Sequence, residues 1–453
     1  MRRAAPKVLF FLLVLVIVLP LSMAIGQDQV TLNVVGVTVP PEELGSTLDL
    51  AYQALVASVQ EANPNVTINV IETPPEFETQ ILVDLAAGTA PDIWRAGHAQ
   101  LPELIEGGHL LDMRQCTDVV PELTMDRFVP SVLAIHQPEG PEGPVYGLPN
   151  GFTPMVFYYN TEAFERAGVD LPTSDWTIEQ FLDVVQRLTL DSEGRNAQDP
   201  AFDPTAIEQY GFRVRKWAVL ENLAWIWAFG GDVFSPDYTT VDGYLNSPES
   251  IEAITFVRDL VLTHHVAPEP NALDMMIQER AFPAVFLDGQ VAMYPRGHWE
   301  LVGLQLQENY SPEKVGVVGY PVGTRDATIA FEDGWVVNAA VANDPAKLEA
   351  ACQFVNVATD TDFQRSKVET GLEISANQAS ADESVSLSAW PDLEAVFVAE
   401  MANVITDPNA RLVAMGVIEP RLDLMFENIL AGADIQEEVD LAVQDIEREL
   451  QRS

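Results

Sequence analysis

The chain opens, over residues 30–72, on a strand-helix-strand unit whose two strands are joined by a crossover, and this constrains the fold more than any other feature. Residues 30–37, VTLNVVGV, alternate as a strand does; residues 47–62 carry a helical period; residues 66–72, VTINVIE, return to a β-rich run. Pro64 stands just past the helix, where it cannot continue it, as a crossover into a parallel strand requires. A second helix is expected over about residues 75–87, stopped by Gly88, followed by a short strand around Pro91 to Trp94.

A chain of 453 residues exceeds the roughly 250 to 300 residues at which a single core stops growing, so two lobes are expected. With 47% hydrophobic and 20% charged residues it has apolar material for sizeable cores. Proline and glycine concentrate between Pro138 and Pro154, which reads as a change of lobe. The strand MVFYY (residues 155–159) and helices near residues 160–168 and 177–189 then open a second α/β unit. Asp175 or Thr177 caps the latter helix, with Gln180 placed to complete a capping box after Thr177. Strands and helices alternate to about residue 358, and the remainder reads as mostly helical. The expected division is a leader over 1–26, a first lobe from 27–148 and 297–358, and a second lobe from 149–296 and 359–453.

The leader has the pattern of an export signal. Arg2, Arg3 and Lys7 precede an unbroken apolar run of 12 residues from Val8 to Leu19, and small residues follow at Ser22, Ala24 and Gly26. A membrane span needs about 20 residues, so cleavage after Ala24 or Gly26 is expected rather than a permanent anchor. The expected location is periplasmic or extracellular, and no cysteine lies near the cleavage site to carry a lipid.

The formal charge of −44 becomes −47 once Arg2, Arg3 and Lys7 leave with the signal. Nucleic acid is a poor partner for such a surface, and a strongly anionic ligand is disfavoured unless a local basic pocket receives it. Cys116 and Cys352 are the two cysteines, which excludes a disulfide-dense scaffold and a cysteine-built zinc site. A bond between them is open in an exported protein, but at 236 positions apart two separate buried thiols are the default expectation.

Several segments in order along the chain carry a family resemblance. LVDLAAGTAPDIW (residues 82–94), GGHLLDM (107–113), VYGLPN with FYYNTEAFERAGVDLPTSDWTIEQFLDVVQRL (145–188), FGGDVFS (229–235), FLDGQVAMYPRGHW (286–299), YPVGT and EDGWVVN (320–338) resemble the extracellular solute-binding proteins of carbohydrate ABC importers, the group of the maltose-binding and glycerol-phosphate-binding proteins. The resemblance covers about residues 30–450. It implies an α/β, two-lobed periplasmic-binding-protein-like fold with a hinge and an interlobe ligand cleft. It implies further a monomer that captures a sugar, oligosaccharide or polyol, uses no cofactor or metal, does no chemistry, and delivers its ligand to permease subunits in the membrane.

Sugars offer hydroxyls to polar groups and C–H faces to flat rings, so aromatic and planar polar residues are the candidates. Trp299, in RGHW, matches the position where the family stacks a ring on its ligand. Trp335 follows Gly334, which would let backbone approach a ligand. Trp217, Trp225 and Trp227 read as one apolar helix ahead of Gly230 and Gly231; two residues apart on a helix, Trp225 and Trp227 cannot share a face, so Trp217 is preferred at the cleft. Trp94 ends the PDIW strand, and Phe152 and Thr153 lie at the first crossing. The polar candidates are Asp232 beside Gly231, Arg296, Asp333 and Glu373, each of which also fits a solvated loop charge or an interlobe salt bridge. Asp92 reads as structural, accepting backbone N–H bonds in a PD turn.

Two rival functions are weighed. A ferric-ion binder of the same fold would use neighbouring tyrosines such as Tyr158 and Tyr159, yet consecutive strand residues face opposite ways. A secreted glycan hydrolase needs two carboxylates, and 68 acidic residues make some pair inevitable and uninformative. No nucleophile elbow, HExxH or cysteine-histidine signature is present. His264 and His265 adjoin at a helix end, where a solvated pair is the default.

Overall fold

The computed structural model describes residues 29–39, 46–74, 77–277, 281–405 and 407–452; the expected leader lies outside the described residues. In chain order the first strands are β1 (Val30–Val35), β2 (Val66–Ile71), β3 (Ile93–Gly97), β4 (Leu148–Pro154) and β5 (Val156–Asn160). There follow β6 (Leu190–Asp191), β7 (Ile207–Gln209), β8 (Met293–Arg296) and β9 (Val315–Val318). The last three are β10 (Thr328–Val337), β11 (Ile374–Ser375) and β12 (Val404–Ile405).

The opening unit forms as expected. β1 pairs in parallel with β2 and with β3, and the helix Thr47–Ala62 makes the crossover between β1 and β2. The Ser46 side chain caps that helix by accepting from the Asp49 amide, and its apolar positions Leu48, Tyr52, Leu55 and Val59 are buried. The Asp92 carboxylate accepts from the Asn33 amide at 2.9 Å and from the Lys347 ammonium at 2.8 Å, tying β3 to β1 in the structural role expected of it.

The first lobe is built on a sheet of order β11-β4-β10-β3-β1-β2, with β12 added in parallel to β10. The second contains the antiparallel sheet β8-β5-β9. At its centre Phe157 packs on Trp176, Phe181, Phe212, Trp225 and Tyr320, with ring centroids 4.4 to 6.1 Å apart. The C-terminal helices Met415–Leu430 and Ile435–Leu450 bury Ile418, Leu422, Phe426, Val439 and Ile446 in the same core. Thr177 and Gln180 form the expected capping box.

The chain crosses between lobes where β4 runs into β5 and where β9 returns through β10. Met155 seals the crossing: its amide donates to the Ile329 carbonyl at 2.8 Å, and its carbonyl accepts from the Thr328 hydroxyl at 2.7 Å. The division by residue number differs from the expected one at three places. The segment from residue 297, expected with the first lobe, includes β9, which pairs with β5 in the second sheet. The break expected at residue 149 falls inside β4, which is hydrogen-bonded to β10 in the first sheet. The helices Thr361–Val368 and Gln378–Leu387, expected with the second lobe, pack around β11 at the edge of that same sheet.

The two cysteines correct the default expectation. Cys116, on the helix Arg114–Val119, and Cys352, on the helix Pro345–Ala358, are joined in a disulfide with Cα atoms 5.1 Å apart. Both helices pack in the first lobe's core, and that packing, rather than proximity in sequence, brings the thiols together.

Candidate functional site

The crossing strands place a set of side chains where the lobes meet. Phe331 on β10 stands opposite Thr153 on β4. Its ring packs on the His98 ring, which follows β3, at 5.7 Å, and edge-on against Trp299 of the second lobe at 5.9 Å. Trp299 follows β8 through the turn Arg296–Gly297–His298. The base of that turn is fixed from three sides: the His298 amide donates to the Thr153 hydroxyl at 2.7 Å, and its ring meets the Gly371 carbonyl at 2.8 Å and Glu394 at 2.6 Å. Trp299 remains partly exposed, and its ring occupies the space a Cβ on Gly297 would need, 2.2 Å from the nearest ring atom. Glycine at 297 is therefore what lets the ring lie there.

From Trp299 a row of cations and rings runs along the second lobe. The Arg296 guanidinium carbon lies 5.7 Å from the Trp299 ring centre and 5.6 Å from that of Trp217, and Arg215 lies 4.5 Å from Trp217 on its own account. Trp217 is not inside the helix expected for it. It caps the turn Ala218–Asn222 that leads into Leu223–Ala228, and its neighbour Ala218 donates its amide to Asp423 of the C-terminal helix at 2.7 Å. Trp225 and Trp227 both belong to the second lobe's core.

Two spaces lie where the lobes meet. A cavity of about 190 Å³ at the hinge is lined by His98, Phe152, Glu332, Met401, Asp407 and Arg411, among others. A wider cleft of about 440 Å³ lies between Glu78, Gln100 and Glu103 of the first lobe and Asn409, Glu419 and Asp423 of the second. Burial alone would depress the His98 pKa, but the hydrogen bond and charge of Asp407, with the backbone of Glu332, lift it to about 9. Burial pushes the Glu332 carboxyl up against the pull of His136, whose ring it meets at 2.8 Å.

Other expected contacts are placed elsewhere. Trp94 and Trp335 have no exposed surface and belong to the first lobe's packing, where the Trp335 indole donates to Asn150 at 3.2 Å. Gly334 makes room for the His136 ring and Gly231 for Ser250 rather than for a ligand. Asp232 pairs at 2.8 Å with Arg325, which also holds the carbonyls of Gly230 and Gly231, and so locks the double-glycine turn. Asp333 and Glu373 belong to one network with Arg95, Asn150 and Lys367. Burial opposes ionisation there, yet Arg95 and Lys367 hold the Asp333 carboxyl below its usual range. Phe152 and Thr153 are buried, Thr153 serving the His298 turn and Phe152 facing the hinge cavity. The structure thus gathers Phe152, Trp217, Arg296 and Trp299 about the crossing and leaves the other candidates in structural roles.

His98, Arg215, Phe331 and Asp407 escaped the sequence reading. The interleaving of RVRKW at residues 213–217 with apolar sequence was the available signal for Arg215. Tyr158 and Tyr159 face opposite ways as the strand period requires, Tyr158 stacking on Tyr294 and Tyr159 packing on Phe164. Among the described residues no cluster of His, Cys, Asp or Glu suits a metal ion, and no helix is long and apolar enough to cross a membrane.

Comparison with known proteins agrees with this architecture. A family model described as bacterial extracellular solute-binding protein matches residues 54–395. A putative binding protein of Brucella abortus (strain 2308) is 22% identical over 280 residues, 61% of this chain and 61% of its own. The maltodextrin-binding protein of Bacillus subtilis (strain 168) is 24% identical over 302 residues, 64% of each. The chain therefore covers less than two thirds of the length of these curated relatives. Among solved structures, an ABC substrate-binding protein of Listeria monocytogenes in complex with cycloalternan superposes with a TM-score of 0.77 at 21% identity, over 94% of this chain and 100% of that one. A Mycobacterium tuberculosis protein in complex with glycerophosphocholine gives 0.75 at 17% identity, over 93% and 98%. These likenesses fix the fold as the two-lobed one, and the family model, spanning well over half of the sequence, shows that the chain belongs to the bacterial extracellular solute-binding proteins.

Proposed function

We propose that this protein is the extracytoplasmic substrate-binding component of an ABC importer, that it closes its lobes around a saccharide or polyol, and that it hands the intact ligand to permease subunits in the membrane. The observation that carries the reading is the partly exposed Trp299 ring, set at the crossing between the lobes and braced by Phe331 and Gly297. A flat ring held at a hinge offers the C–H face of a sugar a preformed platform, while nearby Arg296 supplies donors to hydroxyls. Relatives whose names specify maltodextrin and arabinooligosaccharide binding support the ligand class.

Lobe closure follows from the architecture. β4 and β10 are the strands that pass from one lobe to the other, so a few residues about Met155 and Thr328 absorb the rotation, and ligand bound to both lobes favours the closed state. The protein acts as a monomer outside the cytoplasmic membrane and leaves its ligand chemically unchanged. A melting screen against saccharides and polyols, with product analysis of the same mixtures, tests this. The expected result is a rise in melting temperature with saccharide and no turnover. A shift with ferric citrate alone supports the iron reading instead, and cleaved oligosaccharide supports the hydrolase.

A further inference from the structure

Resting on that reading, we propose that the cleft selects saccharides or polyols bearing an anionic group, received by the guanidinium groups of Arg215 and Arg296. The second lobe brings three arginines together beside Trp217 and Trp299, and their partners do not balance them. Arg213 is taken by Glu221 and the Pro295 carbonyl, beneath the rings of Phe282 and Tyr294. Arg296 spends its Nε on Glu300 at 3.0 Å, and the other oxygen of Glu300 accepts from the Tyr294 hydroxyl at 2.9 Å. Arg215 forms no ion pair among the described residues, and its Nε is buried without a hydrogen-bond partner. Among the described residues, three guanidinium groups therefore meet two carboxylates, and one positive charge is left over in a chain whose formal charge is −44.

The neighbouring acids do not cancel that charge. Glu427 is held by Lys216, and Asp274, which lines the same small cavity of about 130 Å³ as Arg215 and Trp217, is exposed and outside ion-pair distance. Burial and then the charge of Arg213 push the Arg215 pKa down, so the cation stands in surroundings that disfavour it. An anion in contact removes that penalty, whereas a neutral hydroxyl does not. The rings add order: guanidinium groups 4.5 to 5.7 Å from the Trp217 and Trp299 centres are held in place with N–H groups unused, the condition in which an arginine fork receives a carboxylate or phosphate. A saccharide ring against Trp299 would carry its charged substituent toward Arg296 and Arg215.

The test is calorimetric titration of the wild-type protein with maltose, digalacturonate and glucose 1-phosphate at low and high salt. Binding of digalacturonate or glucose 1-phosphate at least about tenfold tighter than maltose, weakening with salt, supports the inference, and the better of the two tells carboxylate from phosphate. Arg215→Gln should lose that preference and Arg215→Lys regain part of it at low salt; the wild-type comparison stands whether or not either variant folds. Maltose binding as tightly as the charged ligands, or more so, overturns the inference while leaving saccharide capture intact. Failure of all three to bind, with no neutral or acidic sugar raising the melting temperature, overturns both.

Discussion

His98 and Asp407 stand 309 positions apart in the chain, and their side chains meet at 2.6 Å. His98 leaves β3 of the first lobe, while Asp407 lies just beyond β12, which pairs alongside the crossing strand β10 and precedes the terminal helices of the second lobe. The pair spans the hinge, and both groups are almost fully shielded from solvent.

Its pH dependence follows from the raised pKa. An unfolded histidine titrates near 6.5 and His98 near 9, so the contribution is complete below about pH 6.5 and is lost as pH rises through 9. The difference corresponds to about 3 kcal/mol. Urea unfolding at pH 6 and pH 9.5 should show stability falling over that window in the wild type and a flatter profile in His98→Gln. Equal slopes for both proteins would remove the hinge pair from the account.

The disulfide closes a loop of 236 positions inside the first lobe. Replacing Cys116 and Cys352 together by alanine should lower stability by about 3 to 5 kcal/mol, chiefly by freeing the unfolded chain. Ligand affinity should hold, because both sulfurs are in the core and away from the crossing. Unchanged melting would show that the bond does not form in the exported protein.

Lys367 is the buried cation that, with Arg95, balances Asp333 and Glu373. Lys367→Met leaves two buried carboxylates to one arginine, a loss expected at about 3 to 5 kcal/mol. Adding Glu373→Gln should recover much of it, which chemical denaturation of the double variant measures.

The local parts of this structure were legible in sequence. The capping box of Thr177 and Gln180 and the crossover between β1 and β2 each depend on neighbours within a few residues or on a period. The cleft was not. Gly334 to Val337 of β10 are all buried and carry no alternation from which to tell that Trp335 points into the core. The partners of Arg215, His98, Asp333 and Cys116 come from distant elements, and chain order contains no record of which charges or thiols packing will juxtapose. The family resemblance singled out Trp299 as a candidate because that residue follows a recognisable strand and turn.

Trp299 also supplies the most direct test of saccharide capture at the crossing. Truncating a stacking ring should cost about 1 to 3 kcal/mol of binding, roughly ten- to a hundredfold in affinity. Truncating a core ring such as Trp335 should instead cost about 3 to 5 kcal/mol of folding. The measurement is calorimetric titration of wild type and Trp299→Ala with the saccharide that most raises the melting temperature, with the ligand-free melts recorded beside it. The account predicts one site per chain, a ten- to hundredfold loss in the variant (roughly the interval above), and nearly equal ligand-free melts. Wild-type affinity in the variant, or a variant that melts far earlier without ligand, would contradict it.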